Sequence, residues 1–241
     1  MTAALARPRS HTAVLRWVEA ELAAGRLAVG SRLAGERTLA EQLGVSRPSV
    51  REGIRVLEAM GVIRTAVGSG PESGAIVVAD ASAGITSALR LHLASSRLPI
   101  LDVVQTRVLL ESWAVRQAAE RRDKRALRSA AALLEAMDDP GLGPDEFHRL
   151  DAEFHVVLAR AAGNEVVAAI MVSLREAIHG YVIRSAAELV DWAHTADKLR
   201  RQHRKLLAAI AAGDGDKAAE RVVKHINGYY ADTLLTDRAE E

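Results

Sequence analysis

Apolar residues recur at helical spacing along most of the chain, with one short interruption. Over residues 11–24, Val14, Trp17, Val18 and Leu22 share a face, and Gly25 ends the run. Leu27, Val29 and Leu33 then form an irregular apolar connector. A second, short helix is expected over residues 36–43, with Leu39, Ala40 and Leu43 inward. After Gly44 a third helix places Val50, Ile54 and Leu57 at i, i+4 and i+7 and ends near Gly61. There the period changes. Residues 62–67 and 75–78 are short β-rich runs, and the segment between them holds the glycines and proline of a hairpin loop. Three helices and a hairpin predict a winged helix-turn-helix over residues 1–78.

No strand is expected in residues 79–241. Helical patterns fill 80–96, 100–122, 124–137, 145–162, 165–189, 192–212 and 216–235. The breaks between them include Pro140-Gly141-Leu142-Gly143-Pro144 and Gly213-Asp214-Gly215. The fold class is therefore mainly α, the second part being an all-α bundle of six to seven helices.

The sequence around the third helix has the form of a recognition helix. Gly44 suits a turn between two helices, and Ser46 is a good N-cap because its hydroxyl accepts a free first-turn N–H. Pro48 is tolerated there, since a first-turn N–H has no helical partner to lose. Arg47, Arg51 and Arg55 form a stripe away from the buried face. A solvated basic face on an ordinary helix has the same pattern. Trp17 is the only aromatic residue in positions 1–75, too few for single-strand stacking.

Composition narrows the classes. The chain has 241 residues, 49% hydrophobic and 26% charged, as in an ordinary globular protein. No unbroken run of some 18 apolar residues is present, so no membrane span is expected. Arg7 and Arg9 precede no apolar segment of the kind a signal peptide needs, and a cytoplasmic location is expected. The absence of cysteine excludes disulfides and thiolate zinc sites, leaving His, Asp and Glu for any metal. Net charge is +1; residues 1–75 hold ten Arg against seven Glu, a mild excess that permits contact with nucleic acid without demanding it.

Four residues of the second part carry candidate chemistry. Asp151 and His155 lie one turn apart on one helix, and His203 and His225 lie on two later ones. Carboxylate plus imidazole is a workable set for zinc, nickel or another divalent transition metal, and sites of this kind are built inside helix bundles. Four protein ligands on a five- or six-coordinate ion leave positions for water or a carboxylate. Spacing alone leaves the plainer reading open: the chain has eight His, and isolated ones are mostly surface or hydrogen-bonded core groups. Arg107 follows the apolar face of Ile100, Leu101, Val103 and Val104. Its guanidinium is suited either to gripping a carboxylate effector or to pairing with Glu111 at i+4. Asn164 after Gly163 reads as a helix cap.

Spacing as well as residue type makes residues 11–78 resemble the DNA-binding domain of GntR-family bacterial transcription regulators. The matching features are Gly25-Arg26-Leu27, Gly30 and Leu33, then Glu36-Arg37-x-Leu39-Ala40-x-x-Leu43-Gly44-Val45-Ser46-Arg47, Val50-Arg51-Glu52, Leu57 and Gly61-Val62-Ile63, with a Gly-x-Gly wing. Ala34-Gly35 departs from the family's usual Pro-Ser, and the wing loop is longer. The resemblance implies that Arg37 meets a phosphate or base. It places Ser46, Arg47, Ser49 and Arg51 at the major groove and its flanking phosphates, and Gly68 at the wing tip beside the minor groove.

Residues 80–236 resemble the helical effector domain of the FadR-type branch, the FCD domain. The matching features are Arg107-x-x-x-Glu111, Asp151-x-x-Phe154-His155, Gly163-Asn164, His203-x-x-Leu206-x-x-Ala209-Ile210-x-x-Gly213-Asp214 and His225. In the metal-binding members of that branch, the positions of Asp151, His155, His203 and His225 hold the ion. His148, one turn earlier on a similar stripe, is a candidate surrogate ligand, with a supporting or surface group as the expected role.

The resemblance implies a homodimeric regulator of double-stranded operator DNA, with a small carboxylate effector bound at a divalent metal, zinc or nickel, and no membrane partner. Rival readings are a sensor of the metal itself and a metal-dependent hydrolase. Against the latter, Glu153 lies at i+2 from Asp151 and points away from it on a helix.

Overall fold

The computed structural model describes residues 10–66, 74–95, 98–187 and 191–237. The chain divides into two compact units, Met1–Ile85 and Thr86–Glu241.

In the first unit, α1 spans Ser10–Ala23, α2 Glu36–Leu43 and α3 Arg47–Ala59. Strands β1 (Ile63–Ala66) and β2 (Gly74–Val77) follow, antiparallel, with Ile63 opposite Val77 and Ala66 opposite Gly74. Val14, Val18, Leu39, Val50, Leu57, Ile63 and Val77 form the core. Gly44 ends α2 with φ +63°, a left-handed conformation that glycine adopts without strain. Gly53 lets α3 lie directly on α1, since a Cβ there would sit 2.6 Å from Val14 Cβ. The connector expected to be irregular pairs with the wing. Leu33 N–H donates to the Ala75 carbonyl and Val77 N–H to that of Ser31, which satisfies an edge of β2. Val29, assigned to the apolar set by pattern, is exposed.

The second unit is helical among the described residues. Helices α4 (Ala81–Ala94), α5 (Ile100–Arg121), α6 (Lys124–Met137), α7 (Pro144–Ala161), α8 (Glu165–Ala187), α9 (Trp192–Ala211) and α10 (Gly215–Asp237) follow the expected order. Each of α5, α7, α9 and α10 buries one face, and together with α8 they enclose Phe147, Phe154, Met171, Ile178, Leu206, Ile210 and Ile226. By length and composition alone, Glu165–Arg184 of helix α8 is long and apolar enough to cross a membrane, with a mean hydropathy of 1.5, although no unbroken apolar run is present in it. Its apolar residues Met171, Leu174 and Ile178 instead belong to the bundle core. The Asn164 carboxamide oxygen caps it, accepting from the N–H groups of Val166 and Val167 at 3.1 Å each.

Candidate metal centre and DNA-contacting helix

Ser46 caps α3, its Oγ accepting from Ser49 N–H at 3.2 Å. Arg47, Arg51 and Arg55 emerge exposed from this helix, as does Arg37 from α2. Arg51 is held by a two-bond fork to Glu36 at the start of α2, with Nε–Oε1 3.2 Å and Nη2–Oε2 2.9 Å. Arg47 stands 4.0 Å from the same carboxylate. The helix-turn-helix thus carries its own acidic clamp on one arginine of α3. Gly68 lies outside the described residues.

In the second unit, three imidazoles and one carboxylate converge. Asp151 and His155 come from α7, His203 from α9 and His225 from α10. One ligand atom from each lies within 4.8 Å of all the others. His155 Nε2 and His225 Nε2 are 3.2 Å apart, and His203 Nε2 and His225 Nε2 are 3.3 Å apart. Asp151 Oδ1 stands 2.9, 3.7 and 4.0 Å from the Nε2 atoms of His203, His155 and His225. An ion with bonds of about 2.0–2.2 Å to nitrogen and oxygen separates adjacent ligands by about 2.8–3.6 Å, and three of these five distances fall in that interval.

The far ring nitrogens explain why the near ones face inward as acceptors. His155 Nδ1 lies 2.6 Å from Glu111 Oε2, and His225 Nδ1 3.0 Å from Gln202 Oε1. A carboxylate and an amide oxygen only accept, so each of these Nδ1 atoms carries the proton and each Nε2 presents a lone pair. Two lone pairs 3.2 Å apart repel unless a cation lies between them. His203 Nδ1 is buried with no hydrogen-bond partner. Burial, with Arg175 adding to it, pushes His155 down to about 4. Burial and the neighbouring His203 and His155 push His225 well below its ordinary value. Both rings are therefore neutral at pH 7, as metal ligation requires.

Glu111 anchors the surrounding charges. Arg107 donates to it through Nε at 3.0 Å, and Arg175 through Nη2 at 3.1 Å. Arg175 Nη1 reaches Asp151 Oδ2 at 3.1 Å, and Arg107 Nη1 donates to the Tyr230 hydroxyl at 2.9 Å. Burial pushes the Glu111 carboxyl up, but Arg175, His155 and Arg107 outweigh it and hold it well below the usual carboxylate range. Asp151 is held down against burial by His155, His203 and Arg175. Arg107 therefore makes the Glu111 pair that its spacing allowed, and it also lines a small cavity with Asp151, Arg175, His225 and Tyr230. His148 is buried, not a surface group, and its Nε2 lies 3.1 Å from the Tyr229 hydroxyl, apart from the four converging groups.

Residues 102–228 match the FCD domain family, and residues 12–71 match the bacterial regulatory proteins of the gntR family. The chain belongs to the GntR family and carries an FCD domain. It is 30% identical over 229 residues to the HTH-type transcriptional repressor NanR of Enterobacter sp. (strain 638), covering 94% of this chain and 86% of that one. It is 29% identical over 192 residues to the Glc operon transcriptional activator of Escherichia coli (strain K12), covering 77% and 74%. A solved structure of Streptococcus agalactiae GntR has the same fold, with TM-score 0.68, 23% identity, and 90% and 97% of the two chains covered. This GntR-family chain is a transcription regulator, and its relatives include a protein named as a repressor and one named as an activator.

Three parts of the regulator's site escaped the sequence reading: Arg175, Gln202 and Tyr230. Arg175 had a weak signal, as a guanidinium within the largely apolar stretch from Val166 to Ile178, where Ser173 and Glu176 are the other polar residues. Gln202 and Tyr230 had none, because their roles depend on which helices meet.

Proposed function

We propose that the FCD domain of this regulator holds one divalent transition ion, zinc or nickel, on Asp151, His155, His203 and His225, and that a small carboxylate bound beside it sets operator affinity. The observation that carries this reading is the set of inward-facing imidazole lone pairs whose protons Glu111 and Gln202 retain on the far side. The ion supplies a Lewis-acidic anchor for a carboxylate oxygen at positions the four side chains leave open. Arg107 and Arg175 line the adjoining cavity and supply positive charge for an acid, which favours an organic effector over the ion alone as the signal. For a hydrolase reading Glu153 is a poor base, since it does not line that cavity and is paired with Arg149 instead.

Arg37, Ser46, Arg47, Ser49 and Arg51 are the proposed contacts to operator DNA, with Gly68 at the wing. The proposed assembly is a homodimer in the cytoplasm, matching two-fold operators. Helix α5 leaves Leu101, Leu109 and Trp113 exposed along one side, an apolar strip suited to a second copy.

Elemental analysis and native mass spectrometry of protein purified without chelator test the metal centre, and titration of labelled operator tests the response. One ion per subunit, and an acid response that vanishes with chelator and returns with the ion, are expected. Protein free of any ion, or a response indifferent to chelator, would overturn the reading.

A further inference from the structure

The buried charges around the centre balance only before an ion is added. Arg107, Arg175 and Glu111 are 5%, 7% and 3% exposed, and the Asp151 side chain is 14% exposed. Their two positive and two negative charges cancel. The cavity's remaining titratable neighbours do not alter this sum. His148 is buried and hydrogen-bonded to Tyr229, and His179 is half exposed and faces Asp145 at 3.4 Å. A divalent ion on the four converging groups adds two positive charges that no side chain of the cluster offsets, an unfavourable state in a site largely removed from water.

Resting on the metal reading above, we infer that the effector is a dianion, a short-chain dicarboxylate with one carboxylate at the ion and the other against Arg175, Arg107 and Tyr230. A monocarboxylate leaves half of the added charge uncompensated. A dianion cancels it. The polar end of the cavity is already built for an anion: Arg175 is more than nine-tenths buried and lines the cavity beside Arg107 and Tyr230, and the two guanidiniums share the one Glu111 carboxylate. The rest of the wall is mixed: Ile178, Val182, Leu199 and Ile226 are apolar, and His148, His179 and Tyr229 add polar edges.

The test uses full-length protein shown by elemental analysis to hold one ion per subunit. Calorimetric affinities are compared for malonate against propionate and for succinate against butyrate, pairs matched in chain length, with gluconate and inorganic phosphate alongside. Each diacid is expected to bind at least about tenfold more tightly than its matched monoacid, the gain of roughly one charge-assisted contact. Tyr230→Phe and Arg175→Gln are expected to narrow that ratio. If Arg175→Gln fails to fold, Tyr230→Phe and the wild-type comparison still decide. Equal affinity within the pairs, with the ion in place, overturns the inference and leaves the metal reading standing. Phosphate or gluconate binding more tightly than every diacid also overturns it. Protein without an ion removes the metal reading and this inference together.

Discussion

Glu111 ties three neighbours of the centre together, Arg107, Arg175 and His155. It accepts from two buried guanidiniums and fixes the tautomer of His155. Glu111→Gln leaves Arg107 and Arg175 buried without their shared counter-charge, so unfolding in urea is expected to show a loss of about 3–5 kcal/mol. It also weakens the acceptor for His155 Nδ1–H, and metal affinity is expected to fall by about 10–100-fold in a competition assay. A variant as stable as the parent would mean that the two guanidiniums find other partners. His203→Ala separates a different role. It removes one ligand without touching the Glu111 network, so metal content is expected to drop while the helical circular dichroism persists. Full occupancy in that variant would refute the assignment of His203. The pairing of Asp151 with His155 was legible in the sequence because i and i+4 share a helix face. The convergence of His203 and His225 on them was not, except through resemblance, because spacing within one helix says nothing about which helices become neighbours.

At the scale of elements, helix identity was the legible part, because apolar periodicity is set locally and each of α5, α6, α7, α9 and α10 buries the face its pattern defines. Pairings formed through space were less so. The 30–33 segment reads as a loop by composition and becomes an edge partner of β2 only because the hairpin presents free carbonyls to it. Gly53 carries no signal in the apolar pattern, yet it sets how close α3 lies to α1. Gly53→Ala is expected to destabilise the first unit by about 1–3 kcal/mol through overpacking against Val14, despite alanine's better helix propensity. An unchanged melting temperature would show that α1 yields without cost. The arginines of α3 separate by their partners. Arg51 is engaged by Glu36, whereas Arg47 stands farther from it. Arg47→Ala is therefore expected to weaken operator binding by about 1–3 kcal/mol, measured at fixed salt. A footprint identical to the parent's at moderate salt would count against α3 as the reading helix.

For the whole molecule, the two sites must be coupled through an equilibrium that both ligands bias. An acid that binds every arrangement of the regulator equally well shifts nothing, however tight its binding. In the proposed assembly dimerisation is the first requirement, since a two-fold operator would be read by two heads held together. Replacing Leu109 and Trp113 of α5 with aspartate is expected to shift sedimentation from dimer to monomer and to weaken operator binding, with the metal content unchanged because neither residue touches the centre. A dimer that survives the double change would place the interface elsewhere. Linkage then fixes a stricter expectation. If a diacid changes operator affinity by some factor, operator DNA must change diacid affinity by that same factor in the same direction. A coupling of about 1–3 kcal/mol corresponds to roughly 5–150-fold, well within the reach of calorimetry performed with and without a saturating operator duplex. Two unequal factors would mean that the acid acts on something other than a shared equilibrium, such as aggregation or loss of the ion. An equal pair would tie the buried charge balance at Asp151 to the exposed arginines of α3 in a single thermodynamic cycle, whichever sign the response takes.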